Sequence, residues 1–177
     1  QTWLSSNVFE GGGERFAGED VVPRTIESVD GVRVGFFGVT DPATPSLNPK
    51  AGGLDFADPY EAASEAVAAL REDGVDRVIA LSHLGAGDDE LARRVDVDVI
   101  LGGHLHIQRC DRVDGTLLLR PGANGHAIHE VAFDATGPIE VQRHETAGAP
   151  VADDVVSALR GRVDAAGLDE VVARVGE

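Results

Sequence analysis

Three of the six histidines stand at the exits of two apolar runs, and their type and spacing suit metal chemistry. The first run, Val78-Ile79-Ala80-Leu81, leads into Ser82-His83. The second, Val97-Asp98-Val99-Ile100-Leu101, leads into Gly102-Gly103-His104-Leu105-His106. Imidazole is the commonest metal-ligating side chain and takes zinc and other first-row divalent ions. Side chains two apart on an extended segment point the same way, so an extended exit aims His104 and His106 at one site. The Gly-Gly pair lets the backbone approach it.

Short apolar runs bounded by glycine and charged residues read as buried parallel strands. Between them, Asp88–Val95 (DDELARRV) sets helix formers behind an acidic start, with Asp88 and Asp89 read as capping and dipole-complementing residues rather than ligands. The sum is a βαβ unit. Its crossover returns both strand ends to one edge of a sheet, where open α/β folds place their ligands.

The segments IALSHLG (Ile79–Gly85) and DVILGGHLH (Asp98–His106) resemble the distal half of the calcineurin-like metallophosphoesterase domain, in the branch of the 5′-nucleotidases and 2′,3′-cyclic-nucleotide phosphodiesterases. LSSNV at Leu4–Val8, GVRVGFFGVT at Gly31–Thr40 and GLDFADPYEAASEAVAALREDGVD at Gly53–Asp76 follow the same pattern in order and spacing. The resemblance implies an α/β fold, part of a four-layer α/β/β/α sandwich. Residues 1–147 would be the distal portion of that domain and 148–177 a C-terminal connector helix. It also implies roles: His83 and His104 on one metal, His106 on a second, two divalent ions of the Zn, Mn, Fe or Co class in the intact domain, and a phosphate ester, a nucleotide, as substrate. The family's Asp-x-His, Gly-Asp and Asn-His-Asp or Asn-His-Glu motifs have no counterpart here.

Two-metal hydrolysis needs a bridging carboxylate, and three imidazoles do not provide one. The expectation is therefore a piece of a catalytic domain that needs a missing N-terminal half, holds one ion or none by itself, and turns over little substrate. A non-catalytic metal-binding or interaction module is the alternative. Within the enzyme class, cyclic dinucleotides, sugar nucleotides and a thiosulfate-type ester stay open as substrates. The chain contains no methionine and opens on Gln-Thr-Trp without a signal-like segment, which also reads as a cut piece. Location is left open between the cytoplasm, slightly favoured, and secretion.

Composition narrows the classes further. Asp and Glu number 31 against 15 Lys and Arg, a net charge of −16, and Lys50 is the sole lysine. Such a balance argues against binding a nucleic-acid backbone, which requires basic patches. It suits a surface kept soluble in concentrated salt, where repulsion is screened within about 3 Å at 1 M. No apolar stretch approaches the roughly 20 residues that span a membrane.

Other residues are weighed against ordinary structural roles. Asp41, at a strand exit before Pro42, reads as a turn or cap residue, although as a ligand it could replace a missing acid. Cys110 reads as a packed or surface thiol, and Ser82 lacks the surroundings of a nucleophile. Arg120 and Asn124, in RPGANG, are candidates for phosphate or loop contacts, equally suited to pinning the turn. His126, His129 and His144 match no ligand position of the family. Gly11-Gly12-Gly13 lacks the context of a phosphate loop and belongs to a surface loop over Glu10–Asp20. Asp30-Gly31 and Asp114-Gly115 predict hairpin turns, Thr136-Gly137-Pro138 a third, and Asp58-Pro59 opens a helix that stops at Asp73-Gly74.

Overall fold

The computed structural model describes residues 2–14, 16, 20–48, 51–149 and 153–165. The chain divides into two compact units, Gln1–Glu145 and Thr146–Glu177. In chain order the first contains β1 (Trp3–Leu4), β2 (Val8–Glu10), β3 (Val21–Val22), β4 (Arg24–Val29), β5 (Val32–Thr40), α1 (Thr44–Leu47), β6 (Leu54–Phe56), α2 (Pro59–Glu72), β7 (Arg77–His83), α3 (Asp88–Arg94), β8 (Val99–Gly102), β9 (Gln108–Val113), β10 (Thr116–Pro121), β11 (Ala127–Ala132) and β12 (Glu140–Glu145). The second unit contributes α4 (Asp153–Ala165); of the connector helix expected over 148–177, residues 166–177 lie outside the described residues. No helix among them is long and apolar enough to cross a membrane.

Local chemistry sets most of the boundaries. Asp58 accepts hydrogen bonds from the Tyr60 and Glu61 amides at the start of α2, Pro59 fits the first turn, and Gly74 at φ 75° ends it. Asp30 (φ 49°) and Gly31 (φ 84°) take the left-handed pair of conformations that a tight β4–β5 hairpin demands. Pro23, which has no amide hydrogen to give a ladder, separates β3 from β4, and β3 pairs with β1. The short α1 lies between β5 and β6, and β6 pairs with β2.

The main sheet has the order β4-β5-β7-β8-β10-β9, with β5, β7, β8 and β10 parallel and both edges antiparallel. The predicted βαβ unit is β7-α3-β8. Phe37, Val39, Val78, Ala80, Ile100 and Leu118 share a buried cluster with α2 and α3 residues Ala63, Leu70 and Leu91. Val34, Ile79, Val99, Leu117 and Leu119 point the other way, toward Val131, Phe133, Ile139 and Val141 of the β11–β12 hairpin and its turn.

That second covering stops short. Along β7, Ile79 is 6% exposed but Leu81, two residues nearer the strand exit, is 40% exposed. An open cleft of about 600 Å³ runs there past Leu4, Leu81, His83, Leu101, Gly103 and His129.

Candidate functional site

Parallel register brings the strand exits together. Thr40 of β5 pairs with His83, and Ser82 pairs with Gly102 of β8. Asn7, fully buried, fastens the β5 exit: its side chain donates to the carbonyls of Thr40 (2.8 Å) and Ala57 (3.2 Å) and accepts from the Thr40 amide (2.9 Å). His83 Nε2 and His104 Nδ1 then lie 3.3 Å apart, their rings 74° from coplanar.

His106 stands outside this pair. Strand β8 ends at Gly102, and His104 (φ 70°) and His106 (φ 53°) both adopt left-handed backbone, so the extended exit expected for them is not formed. Such a conformation costs roughly 1–2 kcal/mol per non-glycine residue, although histidine enters it more readily than most. The segment turns instead of continuing, and His106 is exposed.

The neighbouring glycines sit in tight space. A Cβ on Gly103 would stand 3.0 Å from His83 Nδ1, and one on Gly85, itself at φ 61°, would stand 2.7 Å from His104 Cδ2. On Gly102 it would fall 2.4 Å from Asp88 Oδ2.

Asp88 corrects the reading of the α3 start. Gly87, not Asp88, occupies the N-cap position, without a side-chain cap, and Asp88 is fully buried. Its Oδ2 receives Arg120 Nε (3.0 Å) and Nη2 (2.6 Å), and its Oδ1 receives the Ser82 hydroxyl (2.5 Å). The Arg120 guanidinium, 3% exposed, also donates to the Gly85 carbonyl. It is thus turned inward, and of the two roles left open for Arg120, a phosphate contact or a structural tie, these bonds give it the structural one. Asp89 is taken by Arg109 of β9, with Arg109 Nη2 at 2.9 Å from Oδ1 and a second bond from Nη1. Those hydrogen bonds hold the Asp89 carboxyl below its ordinary range and raise the Arg109 guanidinium above its own.

The remaining candidates have structural partners. Asp41 accepts from the Ala43 amide (2.9 Å), while its carbonyl takes the Thr44 hydroxyl. Asn124 (φ 58°) and Gly125 (φ 66°) form the centre of a tight turn closed by His126 N to Ala123 O. Cys110 is exposed. His144 meets Glu130 across the β11–β12 pair (2.8 Å). His129 lines the cleft; burial first, then Arg143, lowers its pKa, and its Nδ1 has no hydrogen-bond partner among the described residues.

Reading along the chain missed Asn7 and the Asp88–Arg120 pair. One signal was present: Arg109 and Arg120 lie symmetrically about the Asp114-Gly115 turn, which makes them direct cross-strand partners near any acid at that end. Among the described residues no three His, Cys, Asp or Glu side chains converge on a common point that could hold a metal ion. The two facing imidazole nitrogens nevertheless fit two corners of one coordination shell. Zn–N bonds of 2.0–2.1 Å in a tetrahedron put ligand nitrogens about 3.3–3.4 Å apart.

This architecture, with helices on one sheet face and a β-layer on the other, is that of the metallophosphoesterase α/β sandwich. Curated relatives and structural neighbours of the chain include 5′-nucleotidases and a calcineurin-like phosphoesterase. The trifunctional nucleotide phosphoesterase protein YfkN of Bacillus subtilis is 29% identical over 154 residues, 81% of this chain and 10% of its own length. A 5′-nucleotidase precursor of Thermus thermophilus superposes with a TM-score of 0.80 at 28% identity, covering 97% of this chain and 40% of the other. The sulfate thiohydrolase SoxB from the same organism gives 0.82 at 26% identity, covering 97% and 33%. The chain thus spans well under half of these relatives. No protein-family model matches the sequence.

Proposed function

We propose that this chain supplies the histidine side of a metal-dependent phosphoesterase site, acting in the intact protein on a nucleotide phosphate ester. The 3.3 Å approach of His83 Nε2 to His104 Nδ1 at adjoining strand exits carries the reading. These two imidazoles would hold one divalent ion, and His106 would serve a second. When bound, such ions polarise a phosphoryl oxygen and neutralise developing charge.

The chain's own residues present the ligands and clear space around them. Gly102 and Gly103 keep side chains away from the pair, so a substrate oxygen can come close to backbone. The open sheet face at Leu81 is the surface on which further strands would carry the bridging carboxylate. Nucleotide specificity rests on the likeness to YfkN and to the 5′-nucleotidase precursor. The likeness to a sulfate thiohydrolase supports a thiosulfate-type ester as the second reading.

Calorimetric titration of the 177-residue chain with Zn²⁺ and Mn²⁺ in high salt, run beside an AMP hydrolysis assay, tests this. The expected result is weak binding of one ion at most, lost in His104→Ala, with turnover at background. Zn²⁺ binding indifferent to His104→Ala would overturn the ligand assignment. Two tightly held ions with turnover would show that the chain completes its own site, with Asp41 the first residue to replace.

A further inference from the structure

We infer that the Asp88-Asp89 doublet at the start of α3 is a positioning device for the histidine loop, with Arg120 and Arg109 as its two anchors. The functional consequence rests on the ligand reading above; the geometric claim concerns the metal-free chain and stands apart from it.

The loop that carries His104 and His106 leaves β8 at Gly102 and enters β9 at Gln108. Both ends are tied to the same helix start. Gly102 lies against Asp88 so closely that a methyl group does not fit, and Arg109, three residues after His106, is paired with Asp89. Arg109 and Arg120 face each other across the β9–β10 ladder. Like charges so placed repel, and here each is matched by one of two adjacent carboxylates.

The buried member reaches every part of the imidazole pair. Through the Ser82 hydroxyl, Asp88 touches the residue before His83. Through Arg120 it holds the carbonyl of Gly85, whose α-carbon packs beneath the His104 ring. A buried ion pair is a poor source of stability, because apolar residues of equal volume often serve as well or better. What it fixes is direction, the service that outer partners perform for ligating side chains. Asp88 and Arg120 are therefore positioning residues.

The test uses the 177-residue chain and Arg120→Lys, which keeps the charge but loses the planar fork that joins Asp88 to Gly85. Side-chain ¹⁵N–¹H spectra of the metal-free protein report the His83 and His104 rings. Both sets of signals are expected to shift and the inter-ring contact to weaken, while Arg33→Gln, at the opposite end of the sheet, leaves them unchanged. Zn²⁺ affinity should fall about 10- to 100-fold in Arg120→Lys.

Unchanged imidazole signals in a folded Arg120→Lys protein would overturn the inference, whether or not His104→Ala abolishes Zn²⁺ binding. Shifted signals with Zn²⁺ affinity indifferent to both Arg120→Lys and His104→Ala would sustain the positioning role and sink the ligand reading alone. Should Arg120→Lys fail to fold, the double variant Asp88→Asn with Arg120→Gln leaves no unpaired buried charge, and the same spectra decide.

Discussion

At the end of the central sheet where β7 begins, Asp98 accepts Arg77 Nη1 (3.0 Å), Arg71 Nη2 (3.1 Å) and the Val78 amide (2.8 Å). At the end where β7 and β8 leave, Asp88 accepts Arg120 and Ser82. The chemistry is the same and the setting differs. Asp98, Arg77 and Arg71 are 17%, 13% and 33% exposed, and Arg77 also holds the carbonyls of Asp134 and Gly137, which ties the β11–β12 turn to the sheet. Asp88 and Arg120 are 0% and 3% exposed, and Arg120 holds the carbonyl of Gly85, which packs against the ring of His104, a residue with left-handed backbone. A pair within reach of water that joins layers adds to stability. A dry pair beneath strained loops mainly dictates where the loops go, and the molecule accepts desolvation for it.

Arg120→Met draws this contrast most sharply. It strands a buried carboxylate and should cost about 3–5 kcal/mol in urea unfolding. Asp98→Asn, at the wetter end, should cost only about 1–2 kcal/mol because water takes up part of the loss. Equal costs would erase the distinction between the ends. Gly102→Ala forces a methyl group into the Asp88 carboxylate and should cost about 1–3 kcal/mol, read as a lower melting temperature with altered His83 and His104 ring signals. A drop in melting temperature with silent histidines would mean that the strain spreads away from the loop.

The smallest effect is one of pH. His129 has a folded-state pKa below its unfolded value of about 6.5, so the folded chain binds fewer protons than the unfolded one. Its contribution is present in full above the unfolded pKa and is lost as pH falls from there through the lower folded value. Stability measured by urea should decline across that acidic window in the native chain and less so in His129→Gln. Coincident pH profiles would assign the decline to other groups.

Much of the frame was legible because it depends on neighbours in sequence. Asp58-Pro59, Asp30-Gly31, Asp114-Gly115 and Asn124-Gly125 each specify a cap or turn within four residues, and the apolar runs before His83 and His104 specify strands whose exits meet. The failures lie where distant register decides. Arg120 and Asp88 are 32 residues apart, and only the β10–β8–β7 register brings them together beside α3. The β2–β6 pair has three residues on each side, too few for a period to show. The two-residue spacing of His104 and His106 suggests extended backbone, which the left-handed φ of both residues replaces. Gly102-Gly103 marks the end of the strand, but nothing in residue type announces the left-handed backbone at the histidines beyond it.

The left-handed backbone at His104 and His106 also leaves a mark that evolution can read. Glycine at either position would relieve about 1 kcal/mol or more of strain, so a lineage freed from the need for imidazole gains stability by losing it. If imidazole chemistry is what holds these two residues, histidine persists there at a conformation that penalises it. Among descendants of this sequence, glycine or asparagine at 104 or 106 would distinguish copies that have become scaffolds from copies that still work.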